Sequence, residues 1–256
     1  MNPLEAVAIF AAGVGAGGIN AVVGSGTLIT FPTLLALGVP PVTANVSNNI
    51  GLVPGSIAGA YGYRRELAGQ RSRLLRLAAA SLTGAVIGAA LLLGLPDEAF
   101  RVIVPVLIAI ALILVVAQPK VNAWLAARRE KTHPHGGPWL WLGILAAGVY
   151  GGYFGAAQGI ILIALLGIFL DEDLQRNNAA KNVLSALVNG VAALLFIAIW
   201  LTGGAEISWL AVLLIALGSA AGGLLGAAIG RRLPPAALRA VIVLVGLTAI
   251  VNLVRG

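Results

Sequence analysis

Apolar residues run in long uninterrupted blocks, and charged residues mark where the blocks stop. No charge occurs over 6–63, which leaves room for more than two membrane helices at about 20 residues each. Further charge-free stretches cover 77–96, 102–119, 132–170, 182–205, 207–230 and 240–254. This pattern predicts helical segments at 4–37, 42–62, 76–95, 99–118, 138–170, 177–201, 208–230 and 236–254. Two of them, 4–37 and 138–170, are too long for a simple span and are interrupted by glycine clusters.

Composition turns the pattern into a class. The chain is 59% hydrophobic and 10% charged, with a mean hydropathy of +0.99. A soluble domain carries about 25% charged residues, so this chain lacks the polar material to coat a globule. Soluble enzymes, nucleic-acid modules and disordered proteins are excluded, and an all-α, multi-pass membrane protein with the lipid bilayer as its surroundings is expected. The formal charge of +7 then reads as a topology signal and not as a nucleic-acid footprint. There is no cysteine, so thiol chemistry and thiolate metal sites are absent. His133 and His135 share one polar loop with Pro134 and have no carboxylate beside them. They read as a solvated loop, and no metal or cofactor is expected. The N-terminus has no basic region of the kind that precedes a cleaved signal.

Sliding the chain by 133 residues places Gly15 on Gly148, Gly18 on Gly151 and Gly26 on Gly159. The same offset places Asn45 on Asn178, Asn48 on Lys181 and Asn49 on Asn182. Matched asparagines inside apolar runs point to two homologous halves, 1–119 and 138–256, joined by a cytoplasmic loop 120–137. Repeats of this kind are typical of secondary transporters.

Basic residues weigh the topology. If all eight segments cross, ten Lys/Arg fall on one side and six on the other. If 4–37 and 138–170 instead enter, turn and return, 14 of the 16 basic residues share one face and only Arg101 and Arg255 lie opposite. The positive-inside rule favours the second arrangement. Each half is then a broken, re-entrant helical hairpin plus three transmembrane helices, and the halves are inverted. Eight plain spans remain the alternative. Trp200 and Trp209 flank the short loop 202–207 as interface anchors.

The candidate chemistry lies at the breaks. Gly24, Ser25, Gly26 and Thr27 put a hydroxyl between glycines just before an apolar run. Such a string predicts a turn whose Ser25 or Thr27 caps a half-helix, and the unpaired N–H groups and positive dipole end of that half-helix form a natural anion site. Gln158 and Gly159 occupy the corresponding place in the second half. Small-residue packing between helices is the plainer reading, and it suffices for Gly13, Gly15, Gly17 and Gly148. Each break is followed by a polar cluster on a helix: Asn45, Asn48 and Asn49, then Asn178, Lys181 and Asn182. The i, i+3, i+4 spacing puts each set on one face. Ser56, Ser185 and Asn189 extend the stripes. These amides either line a cavity at the repeat interface or bond helix to helix.

Lys181 has two readings. It snorkels to lipid phosphates near the cytoplasmic end, or it lies deep and meets an anionic substrate. No carboxylate lies in the apolar runs to pair it. For the same reason a carboxylate proton relay through the core is not expected. No Walker string or hydrolase triad is present, so the chain is not read as an enzyme or an ATP-driven pump.

At these residues the chain resembles the sulfite exporter TauE/SafE family of bacterial membrane proteins. The resemblance rests on GSGTLITFPTLLALGVPPVTAN and NNIGLVPGSIAGAYGYRREL in the first half. GGYFGAAQGIILIALLG and NNAAKNVLSALVNGVAALLF carry it in the second. It departs at Gly24-Ser25-Gly26, where many members have an all-glycine run. The resemblance implies a carrier of a small sulfur-containing anion, sulfite or an organosulfonate, in the bacterial plasma (inner) membrane. Backbone N–H groups at the two turns, with Asn45, Asn48, Asn49, Asn178, Lys181 and Asn182, would form the substrate site. An anion channel and a non-transporting scaffold are the alternatives, and assembly into a homo-oligomer is left open.

Overall fold

The computed structural model describes residues 1–127 and 136–229, with single positions 243, 244 and 247. Among the described residues there are nine helices and no strand: α1 (Pro3–Val22), α2 (Thr27–Ala36), α3 (Pro41–Gly62), α4 (Arg71–Gly94), α5 (Asp97–Ala127), α6 (Gly137–Tyr153), α7 (Gln158–Phe169), α8 (Leu174–Leu201) and α9 (Trp209–Ile229). Five stretches within α1, α4, α5, α8 and α9 are long and apolar enough to cross a membrane. α3 has the length, at 22 residues, but carries the asparagine cluster. Large apolar side chains such as Val102, Val106, Ile113, Leu213 and Leu217 are exposed, as on a lipid-facing surface. The histidine loop, the basic segment 231–239 and the segment expected at 236–254 lie largely or wholly outside the described residues.

Both long segments are broken where glycines were expected to break them. α1 stops because Gly24 takes a φ of +87°, which a residue with a Cβ resists. That turn lets the N–H groups of Val23 and Gly24 both donate to the Ile19 carbonyl. In the second half Phe154 and Gly155 donate in the same way to the Tyr150 carbonyl, with Gly155 at a φ of +78°. Equivalent turn atoms are thus 131 residues apart. The following helices, α3 and α8, start 133 apart because α7 has 12 residues to α2's 10. The ungapped offset of 133 therefore slips by two residues at the turns, and it is Gly24 and Gly155 that share a backbone role.

The helix ends differ from expectation in two places. α5 runs through Pro119 to Ala127, so 120–127 is helical and not loop. Pro119 removes one backbone donor, but the residues after it, including Ala123, Leu125, Ala126 and Ala127, are strong helix formers that resume the ladder. α4 begins at Arg71, which places Arg71, Arg73 and Arg76 on helix and leaves 64–70 as loop.

Glycine contacts set the helix directions. Gly17 lies on Ser219, and Gly18 on Gly222, so α1 and α9 run parallel at near-contact distance. Gly148 lies on Ser81 and Gly152 on Ala85, so α4 and α6 also run parallel. Gly51 meets Ile215 and Gly55 meets Ser219, which aligns α3 with α9. One end of the bundle gathers 37–43, 92–95 and 200–208 around two shallow depressions. Trp200 and Trp209 stack edge to face there, their ring centres 5.0 Å apart. Because α9 starts at this end, α1 starts there as well, and α2 returns to it. The opposite end joins the loop after α3 to the loop before α8. Glu172 accepts from Arg73 at 2.9 Å and pairs with Arg176. Arg176 also donates to the Ala68 carbonyl at 3.1 Å. α4 starts at this end, so α6 starts there and α7 returns to it.

Burial pushes the Glu172 carboxyl pKa up, but hydrogen bonds and charge from Arg176 and Arg73 outweigh it and hold the group below its usual range. Its folded pKa is depressed, so its contribution is present above the ordinary carboxylate value of about 4.3 and is lost as pH falls through the folded value. The melting difference between wild type and Glu172→Gln should therefore hold near neutral pH and close on acidification. A difference that grows on acidification would contradict this clamp. Helix packing gives a second expectation. A Cβ at Gly17 would sit 2.2 Å from the Ser219 carbonyl oxygen and one at Gly88 2.1 Å from that of Val149. Gly17→Ala and Gly88→Ala should each cost about 1–3 kcal/mol. Gly190→Ala, with nothing within 4 Å of the added carbon, should be neutral or stabilising. Thermal unfolding in detergent compares the three.

Candidate functional site

A half-helix of ten residues rises about 15 Å and one of twelve about 18 Å. Each is roughly half of a ~30 Å hydrocarbon core. The starts of α2 and α7, and the C-terminal ends of α1 and α6, thus lie deep in the bundle. There the two breaks touch. The Gly159 N–H donates to the Gly24 carbonyl at 3.0 Å. A Cβ on either glycine would lie 2.4 Å from the other's Cα, and one on Gly159 would also meet the Lys181 stem at 2.8 Å. Only two glycines permit this approach.

The C-terminal ends of α1 and α6 present carbonyls that no helical turn satisfies. Each is met by polar side chains from the other half of the chain. Asn45 on α3 donates to the Tyr153 carbonyl at the end of α6, at 2.9 Å. Asn178 and Asn182 on α8 each donate to the Ala21 carbonyl near the end of α1, at 3.1 Å. Lys181 joins them, its Nζ 2.7 Å from the Asn20 carbonyl and 3.3 Å from that of Ala21. The lysine is 0% exposed, and among the described residues it is the one charged side chain in the buried interior. It does not snorkel. The negative end of the α1 dipole faces it.

The remaining expected residues divide between the breaks and a neighbouring network. Asn48 donates to Thr27 Oγ1 at 3.4 Å and accepts a close hydrogen bond from Thr30, which ties it to the first turn of α2. Gly26 packs on the Ala16 carbonyl. Neither Ser25 nor Thr27 caps α2, whose N-cap is Gly26: the Thr27 hydroxyl is engaged by Asn48, and Ser25 is 1% exposed with a hydroxyl that has no hydrogen-bond partner. Asn49 turns toward Asn189 at 3.5 Å, and Asn189 continues to Ser56 at 3.1 Å. One Asn49 acceptor, Oδ1, is left without a partner, as is Asn178 Oδ1. Gln158 faces away from the break, donating to the Ala147 carbonyl of α6 at 3.0 Å. All of these side chains are buried except that of Asn189, which is half-buried.

The sequence reading missed the acceptors that organise the site, because they are main-chain carbonyls of Asn20, Ala21 and Tyr153. It also missed Thr30, although a hydroxyl three residues after Thr27 was a usable sign. Asn20, a polar residue just before the glycine turn, was another. Its side chain reaches Ser56 at 3.3 Å.

Comparison with known proteins supplies the class. Residues 9–253 match the family described as Sulfite exporter TauE/SafE. The chain is 28% identical over 208 residues to "Probable membrane transporter protein YfcA" of Escherichia coli K12, covering 79% of this chain and 76% of that protein. It is 27% identical over 222 residues to a "Probable membrane transporter protein" of Haemophilus influenzae, covering 86% and 82%. A third, "Probable membrane transporter protein ORF9" of a Sinorhizobium species, is 35% identical over 105 residues, covering 41% and 40%. No solved structure matches. With its apolar helices and this similarity, the chain is a multi-pass membrane transporter and not an enzyme, and it belongs to the sulfite exporter TauE/SafE family.

Proposed function

We propose that the protein is a secondary carrier, acting as an exporter of a small oxyanion, sulfite or an organosulfonate. The anion binds where the two breaks meet. The observation that carries this reading is the direct Gly24–Gly159 contact beside a fully buried lysine and an unpartnered buried serine. The starts of α2 and α7 supply the positive ends of two helix dipoles. Ser25 adds a hydroxyl donor, and Thr27 and Asn48 frame the first turn of α2. Lys181 uses two of its three N–H donors on α1 and keeps one for the substrate. Asn45, Asn178 and Asn182 hold the helix ends that the substrate site is built on, while Asn49 supports it from the neighbouring Asn189–Ser56 network and Gln158 by holding the start of α7 against α6.

Carriage across the membrane follows from two inverted halves, 1–119 and 138–256. In this reading α1–α2 and α6–α7 are re-entrant hairpins from opposite faces, and the arginine-rich end is cytoplasmic. The support is the pairing of α1 with α9 and of α6 with α4 in the same sense, together with the charge partition. Site and hairpins coincide at mid-depth, so a rocking of one half on the other exposes the same pocket alternately.

Three measurements test this. Purified protein in proteoliposomes should show saturable sulfite or short-sulfonate flux with counterflow. Flux that does not saturate points to a channel, and absence of flux for every small oxyanion points to a scaffold. Ser25→Ala should weaken anion affinity by about 2–10-fold, the value of one neutral hydrogen bond. Folding should be unharmed, because that hydroxyl has no protein partner to lose. For topology, the chain has no cysteine to remove. Single cysteines at 68 and 172 should label from the cytoplasm and one at 205 from outside. Cysteines at 68 and 172 that label from opposite sides would defeat the inverted arrangement.

A further inference from the structure

The ammonium of Lys181 sits where a free metal cation would sit in a broken-helix transporter. In such proteins unwound carbonyls and the C-terminal ends of half-helices coordinate the coupling ion. Here the Asn20 and Ala21 carbonyls, at the negative end of α1, converge on Nζ at 2.7 and 3.3 Å. The Ala21 carbonyl is further held by Asn178 and Asn182. The Asn178 Oδ1, buried and without a hydrogen-bond partner, adds an uncommitted acceptor on the same helix face. Among the described residues no carboxylate hydrogen-bonds or pairs with the lysine. Its electrostatic partner is the helix end.

The other half has no such charge. Asn48 occupies the position that matches Lys181 and bonds forward to Thr27 and Thr30 on α2, not back to the end of α6. The α6 end is capped by the neutral Asn45 alone among the described bonds. The cationic contact is therefore confined to one of two otherwise similar broken ends, and it is covalently attached to α8.

We propose that Lys181 is a tethered replacement for a bound monovalent cation: it neutralises the α1 C-terminal end, so the wild-type protein needs no sodium or potassium at this place. The lysine acts through α1 as a positioning residue. It draws the end of α1 against α8 and so sets where the Gly24–Ser25 turn lies. The inference reaches beyond the transport reading, because it concerns what holds α1 in the absence of any substrate.

The test is chemical rescue without substrate. Lys181→Ala removes the ammonium and leaves the two carbonyls and the Asn178 and Asn182 amides. Purified wild-type and variant protein are melted at constant ionic strength in choline chloride, and then with sodium, potassium or ethylammonium replacing choline. Wild type should melt alike in every salt. Lys181→Ala should melt lower in choline and regain most of the loss, saturably, in at least one small cation. If Lys181→Ala cannot be recovered in choline, purification in ethylammonium should restore its yield. Lys181→Gln, which keeps a donor but no charge, should show the same cation-dependent rise. Variants that melt identically in choline and in all small cations would overturn the proposal, as would a wild type with the same cation dependence. Loss of anion transport with cation rescue intact would sink only the substrate assignment, so the two readings fail separately.

Discussion

The constraint on which this molecule depends is that a helix stopped inside a membrane exposes backbone groups that water cannot reach. Lipid offers no hydrogen bonds, so irregular backbone at depth survives only where protein satisfies it. Here the satisfaction is reciprocal. Asn45 of the first half caps α6 of the second, and Asn178, Lys181 and Asn182 of the second half cap α1 of the first. Neither half can complete its own break with these residues. The crossed caps bind the two halves together at the depth where the turns touch, so the proposed substrate site there would draw on both.

The caps also sort the ends by charge. Amides and an ammonium face the two carbonyl-bearing C-termini, while the first turns of α2 and α7 spend several donors on local carbonyls, Leu28 and Ile29 on Ser25 and Gly26, Gln158 and Ile160 on Gly155 and Ala157. The Gly159 N–H is spent as well, on the Gly24 carbonyl of the other break. At α2 the serine hydroxyl is unpartnered. The first half thus holds an unpartnered hydroxyl and the second half holds the fixed charge.

Much of this was legible in the sequence. The apolar blocks, the two glycine-broken segments and the asparagine clusters at i, i+3, i+4 all have a direct physical signature: burial, turn chemistry and one helical face. The sequence did not reveal what the clusters hold. Side-chain types advertise donors, but the acceptors at Asn20, Ala21 and Tyr153 are main-chain atoms common to every residue. Nor did it reveal the two-residue slip at the turns, since α7 is longer than α2 and an ungapped comparison averages over it. Pro119 misled for a related reason: proline removes one bond of a helix without ending it when the residues beyond are strong helix formers. The deep position of Lys181 was one of two open readings, and its partner decided between them.

The central claim is that the two turns form one oxyanion site at mid-depth. Selenite replaces sulfite with nearly the same shape and a strong anomalous scatterer. Crystals of the protein grown with selenite, measured at the selenium edge, locate the bound anion directly. A selenium peak between Ser25 and Gly159, within hydrogen-bond reach of the α2 N-terminus, is the result this account requires. Peaks confined to the arginine-rich end around Arg64, Arg73 and Arg176, with none at the turns, would contradict it.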